Sequence, residues 1–216
     1  MYRNKRPFSY DVPIDAIFRL THQQHKEKIM NTAEQTNHIV NGIDTEQVID
    51  VAGKISQNED FGNFKFRANN HWIGDSRSRT SIQGFFAGGE ENTGRREALT
   101  VDADQPTFLG GKNTAPNSVE HLLHSLTSCL STTMVYHASV QGITIDELDI
   151  SAEGDMNAKG FFGISDKVNR GYERIRVNVH VKSDADIETL TKFAMYSPVY
   201  EVVSKAVPVD FNMTKI

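Results

Sequence analysis

The sequence has one cysteine, Cys129, among 216 residues. An intramolecular disulfide is therefore excluded, and a reducing compartment, the cytoplasm, is the expected location. No apolar run approaches the roughly 20 residues that cross a bilayer as a helix, so no membrane partner is expected. Basic residues are not in excess: 23 Lys and Arg stand against 28 Asp and Glu, a formal charge of -5. That balance argues against nucleic acid as the main partner, because phosphate binding needs a basic surface. The start, "MYRNKRPFSYDVP", is basic, but no apolar stretch follows it and a secretory signal is not expected. Internal repeats and long low-complexity tracts are absent too.

What is present suits a soluble globular protein: 38% apolar and 24% charged residues. The length allows one well-buried domain with an extension, or two small ones. Residues 1–60 read as a partly helical N-terminal extension, polar and rich in Gln, Asn and His, and residues 61–216 as the domain. Ile14, Ile17, Phe18 and Leu20 line one face of a short helix, and "DTEQVIDVAGKISQNED" predicts a better one. Met30 is an alternative start.

From Phe64 the signal turns to strands. "FKFRANNHWI", "SRTSIQGFFA" and "REALTVDA" predict a three-stranded antiparallel meander, the last two separated by a turn-rich "GGEENTG". A Gly-, Pro- and Asn-rich loop, "DQPTFLGGKNTAPN", leads to a long helix ending near Gly142. Two alternating runs follow, "ITIDELDISAEGDM" and "ERIRVNVHVKS", the second with Ile175, Val177, Val179 and Val181 on one face. "DADIETLTKFAMY" predicts a helix that resumes after Pro198, and "VPVDFNM" a final strand. The order is β-β-β-α-β-β-α-β, an α+β arrangement.

The long helix carries the thiol. Asn117 is its expected cap, with Glu120 three residues on as in a capping box. At about 100° per residue, Leu122, Leu123, Leu126, Leu130 and Met134 fall on one broad side, and Val119, Val135 and Ala138 on the other. A helix apolar nearly all round is buried on most sides. Cys129 lies at the edge of the leucine face. It reads either as a small packed residue or as a reactive thiol, which needs a cation from another element or another chain. His121 and His124 share a face, but His124 points well away from Cys129 and His121 is two turns distant, so no metal site is expected. Glu120, nine residues and roughly 13 Å along the axis from Cys129, reads as a capping residue.

"APNSVEHLLHSLTSCLSTTMVYHA", "GITIDELDISAEGDM", "GFFGI", "RGYERIRVNVHVKSDA" and "MYSPVY" before "VPV" resemble the OsmC/Ohr superfamily of osmotically inducible and organic hydroperoxide resistance proteins. The resemblance implies an intertwined homodimer with central buried helices and sites at the dimer interface. It implies no cofactor. In its peroxidatic members two cysteines reduce organic hydroperoxides. Cys129 matches the first, and the second, resolving position falls on Ser197, before Pro198. Serine forms no disulfide, so the sequence resembles a branch lacking the resolving cysteine. The family's arginine from the early strands matches either Arg77 or Arg79, whose other reading is solvent-facing charge on a hairpin. Its glutamate falls on Val119, with Glu120 one residue away. Two functions follow as expectations. One is a one-cysteine hydroperoxide reductase using Cys129, an organic hydroperoxide and an external thiol. The other is a non-enzymatic dimer binding a small hydrophobic ligand in the interface cleft.

Overall fold

A computed structural model describes residues 38–205. The expected helix at Ile14–Leu20, the alternative start at Met30 and the final strand at 207–213 lie outside that range. Strands β1 (Ile39–Val40) and β2 (Ile43–Asp44) form a hairpin closed by Asn41 and Gly42. Both turn residues have positive φ, 52° and 78°, as a type I′ turn requires and as Asn-Gly readily provides. The Asn41 side chain then reaches 98 to 104 residues along the chain. Its Nδ2 donates to Ser139 Oγ at 3.0 Å and to Ile143 O at 2.9 Å, and its Oδ1 accepts from Ile145 N at 2.9 Å. Asn41→Ala removes all three bonds and is expected to destabilise the fold by about 2 kcal/mol. That is a fall of roughly 4–8 °C in Tm for a chain of this size, measurable by calorimetry.

Asp44 caps α1 (Thr45–Gln57), whose apolar face of Val48, Ile49, Ala52 and Ile55 is half-buried. Five strands follow: β3 (Asn69–Gly74), β4 (Arg77–Ile82), β5 (Phe85–Ala87), β6 (Glu90–Asn92) and β7 (Leu99–Ala103). The expected antiparallel meander is present with the order β3-β4-β7. Its middle strand is shorter than the sequence suggests. The run 78–87 breaks at Gln83–Gly84, and its second half pairs with residues of "GGEENTG" in a separate β5–β6 hairpin. Gly88 and Gly89 supply the two positive-φ turn positions there, 62° and 85°, so a segment read as a connector closes a hairpin instead.

The long helix α2 (Ser118–Val140) is followed by β8 (Ile145–Met156), a short α3 (Ala158–Phe161), β9 (Tyr172–Ser183), α4 (Ile187–Ala194) and α5 (Pro198–Lys205). β8 and β9 pair antiparallel along their whole length. The core lies between α2, this ribbon and α4. Its fully buried apolar residues are Leu126, Leu130, Met134 and Ala138 of α2 with Leu190, Phe193 and Ala194 of α4. Ile150, Ile175 and Val177 of the ribbon pack against them. The α2 residues are spaced by four, and each step of four drifts about 40° round the helix. Ala138 therefore joins the leucine stripe, not the opposite side as the sequence reading has it. The burial expected all round α2 is not reached within one chain: Leu122 is 39% and Tyr136 42% exposed. Val179 likewise departs from the other inward valines of β9, at 39% exposed.

Candidate functional site

Asn117 caps α2 as the sequence predicts. Its Oδ1 accepts from Glu120 N at 2.9 Å, and its own N donates to Glu120 Oε2 at 2.7 Å. Both groups of the capping box are thus engaged, which fixes Glu120 at the helix entrance, away from the thiol. Nine residues on, Cys129 is half-buried and unbridged. It flanks the buried stripe, one turn beyond Leu126. Leu122 and Leu126 line a groove of about 610 Å³ between α2, the start of β9 and α5, with Ile175, Val177 and Tyr200 among its other walls.

Tyr172 also lines that groove. Its hydroxyl donates to Val119 O at 2.9 Å. Burial first, and the Glu120 carboxylate second, push its phenol above the ordinary value. The ring lies on Gly154, where any Cβ would fall inside it. A glycine within a strand marks such close approaches. Gly154→Ala is expected to lift Tyr172 off the ribbon and cost roughly 1–3 kcal/mol, as overpacking does. Thermal unfolding measures the loss, and adding Tyr172→Ala to the variant recovers part of it, because the clashing ring is gone.

The two arginines sit on β4, beside carboxylates. Arg77 Nε donates to Asp75 Oδ1 at 3.0 Å. Arg79 makes a bidentate pair with Asp102, Nε to Oδ1 and Nη2 to Oδ2, both at 2.7 Å. The pairing raises each guanidinium and lowers each carboxyl. Asp75 is held at about 2, by Lys112 first and Arg77 second. Asp102 is the residue directly across from Arg79 in the β4–β7 register, a cross-strand pair that alternation alone makes findable. Neither arginine bonds to Cys129 among the described residues. Arg79 Nη1 takes no part in the Asp102 pair, so the carboxylate orients the guanidinium and leaves one nitrogen for another acceptor.

His121 connects this sheet to α2: its Nε2 lies 2.9 Å from Asp102 O, which requires a proton on that nitrogen. His124 is exposed. Among the described residues no group of three His, Cys, Asp or Glu side chains is placed to hold a metal. The second link is Asp104, which is 1% exposed. It accepts from Ser76 Oγ (2.6 Å), Gln105 N (2.7 Å), Thr114 Oγ1 (2.8 Å) and Thr114 N (3.0 Å). These bonds, Ser76 foremost, hold its carboxyl far below the ordinary range. Sequence reasoning passed over this residue, since an aspartate before a loop signals only a turn.

Ser197 is completely buried. Its Oγ accepts from Tyr200 N at 3.2 Å and its carbonyl accepts from Glu201 N at 3.0 Å, so it caps α5. Serine at this position therefore has a structural task of its own. Nearby, His137 stacks on Tyr196 at 4.6 Å and on Phe193 at 5.9 Å. Burial lowers its pKa below 6.5. The folded state then binds fewer protons than the unfolded chain, and stability falls as pH drops through 6.5, levelling below the folded value. His137→Phe keeps the stack and is expected to flatten Tm between pH 7 and 5.

Residues 111–212 match the protein family described as OsmC-like protein. That segment is OsmC-like. The OsmC-like segment contains Glu120, Cys129 and Ser197, while Arg77 and Arg79 precede it. Among solved structures, an OsmC-like protein from Mycoplasma pneumoniae is 16% identical, with 66% of this chain and 89% of that chain covered at a TM-score of 0.46. An organic hydroperoxide resistance protein OsmC from Legionella pneumophila is 18% identical, covering 65% and 90% at 0.43. An OsmC-like protein of unknown function from Vibrio cholerae is 12% identical, covering 66% and 93% at 0.46. No curated protein matches the chain.

Proposed function

We propose that this OsmC-like protein is a one-cysteine, thiol-dependent organic hydroperoxide reductase that works as a homodimer. The observation that carries the reading is the placement of Cys129. It stands within the OsmC-like segment, half-buried, outside the packed stripe of its own helix and one turn along α2 from Leu126, which lines an apolar groove. The Cys129 thiolate attacks the outer oxygen of the hydroperoxide. An S–O bond forms, the O–O bond breaks, and the alkoxide leaves with a proton as an alcohol. Cys129 becomes a sulfenic acid. Ser197 cannot resolve it, so an external thiol attacks the sulfenic sulfur and releases water, and a second thiol frees Cys129 as the reductant becomes a disulfide. A lone thiol cycling in this way suits a reducing cytoplasm.

The homodimer is supported by what one chain leaves bare. Seven apolar residues are fully buried among the described ones, whereas Phe64, Phe66, Trp72, Phe108, Phe161 and Phe162 are 49% to 94% exposed. At 150–250 Å² per ring, those six leave roughly 600–1,000 Å² of aromatic surface in water. A standard interface takes about 800 Å² from each partner. An intertwined pair that lays the β3-β4-β7 sheet of one copy, which carries Trp72, over the open side of α2 of the other accounts for part of both exposures. It also gives α2 the burial that its sequence predicts.

A second reading has its own support. Asp75 and Asp102 already neutralise Arg77 and Arg79, which leaves less positive charge for a thiolate and favours a non-enzymatic dimer that binds a small hydrophobic ligand in the groove. Incubation with cumene hydroperoxide and a dithiol separates the two. Multiple turnovers are expected, whereas binding of the hydroperoxide without consumption supports the second reading.

A further inference from the structure

The loop 105–117 is built to hold Phe108 in the open. Asp104 anchors both of its ends through Gln105 N and Thr114. Within it, Leu109 and Gly111 both donate to Pro106 O and Asn113 N donates to Gln105 O. Gly111 sits so close to the Gln105 backbone that no side chain fits there. Lys112 is tied to Asp75 at 2.7 Å. This bonded scaffold presents a ring that is 94% exposed, followed by Leu109, 36% exposed. A rigid, preorganised aromatic loses little entropy on association and is the usual form of an interface anchor.

We propose that Phe108 of one copy seats in the α2–β9–α5 groove of a second copy, one turn along α2 from Cys129. The inference rests on the homodimer reading above. The groove, about 610 Å³ with Leu122, Leu126, Ile175, Val177 and Val203 in its walls, is an apolar receptor of suitable chemistry. It is not filled by its own loop, since Phe108 is almost wholly exposed. Knob and hole on one chain satisfy each other twice in a closed two-fold pair. Each side carries one cation and one anion, Lys112 with Asp75 on the loop and Glu173 with Arg174 in the groove lining, so no net like charge opposes the contact. The second copy thereby completes the wall of the pocket one turn from the thiol.

Sedimentation of the full chain tests this, together with the rate at which iodoacetamide alkylates Cys129. Phe108→Ala is expected to fold normally, because the ring is 94% exposed among the described residues. It should weaken the dimer at least tenfold and speed alkylation of Cys129. A wild-type dimer whose dissociation constant and alkylation rate are unchanged by Phe108→Ala overturns the inference while leaving the homodimer intact. A monomeric wild type overturns both. As a positive control, the triple variant Phe108→Cys, Val202→Cys, Cys129→Ser is expected to form a covalent dimer on mild oxidation. Failure to cross-link in a dimeric variant also overturns the seating.

Discussion

Cys129→Ala is expected to reduce the thiol-dependent consumption of cumene hydroperoxide to the rate of the dithiol alone. Nothing else in the chain can substitute. Cys129 is the sole thiol of the sequence, and the hydroxyls around it, such as Ser128 and Ser131, are far weaker nucleophiles toward peroxide oxygen. The variant should keep its fold. A half-buried free cysteine packs as a small apolar residue, and alanine fills nearly the same space. Unchanged circular dichroism together with lost turnover therefore assigns the chemistry to the sulfur. Equal turnover by both proteins removes the enzymatic reading and leaves the ligand-binding one.

The second large effect is expected at Asp104. Asp104→Ala leaves Ser76, Gln105 and Thr114 without the acceptor that all of them share. The β3–β4 turn, the end of β7 and the loop into α2 then lose their common anchor. Removal of a buried hydrogen-bonding hub belongs to the short list of large single-site effects, and a fall in Tm of roughly 10 °C is expected. Loop 105–117 should also gain the fastest amide exchange in the variant. The linkage runs in one direction. The carboxyl is depressed in the folded state, so its stabilisation is complete above the ordinary value of 3.8 and is lost as pH falls toward the folded value. Asp104→Ala should therefore lose less stability than the wild type as pH falls below about 4, the remaining loss coming from other depressed carboxyls such as Asp75 and Asp102.

Most of the fold was legible because its signals are local. The capping box at Asn117 and Glu120, the four-residue spacing of Leu126, Leu130 and Met134, and the alternation along β9 each report on their own segment. The β5–β6 hairpin was missed because Gly88–Gly89 reads equally as a plain turn; only pairing partners distinguish the two. Ala138 was misplaced because small angular steps accumulate along a 23-residue helix. The site was less legible for a different reason. Cys129, Arg77, Arg79, Glu120 and Ser197 were all nameable from the sequence, but their partners are set by contacts far apart in the chain. Asp102 captures Arg79 across a strand pair, Tyr172 reaches Val119 over 53 residues, and Asn41 grips the far end of α2. The buried cap formed by Ser197 shows that serine has a structural task there.

The proposed reaction stands on one chemical event at one atom. The protein, freshly reduced and freed of thiols, is treated with one equivalent of cumene hydroperoxide, and dimedone is added to trap sulfenic acid. The account predicts release of one equivalent of the alcohol and a single dimedone adduct on the peptide containing Cys129. An undiminished thiol titre with the hydroperoxide intact would contradict it.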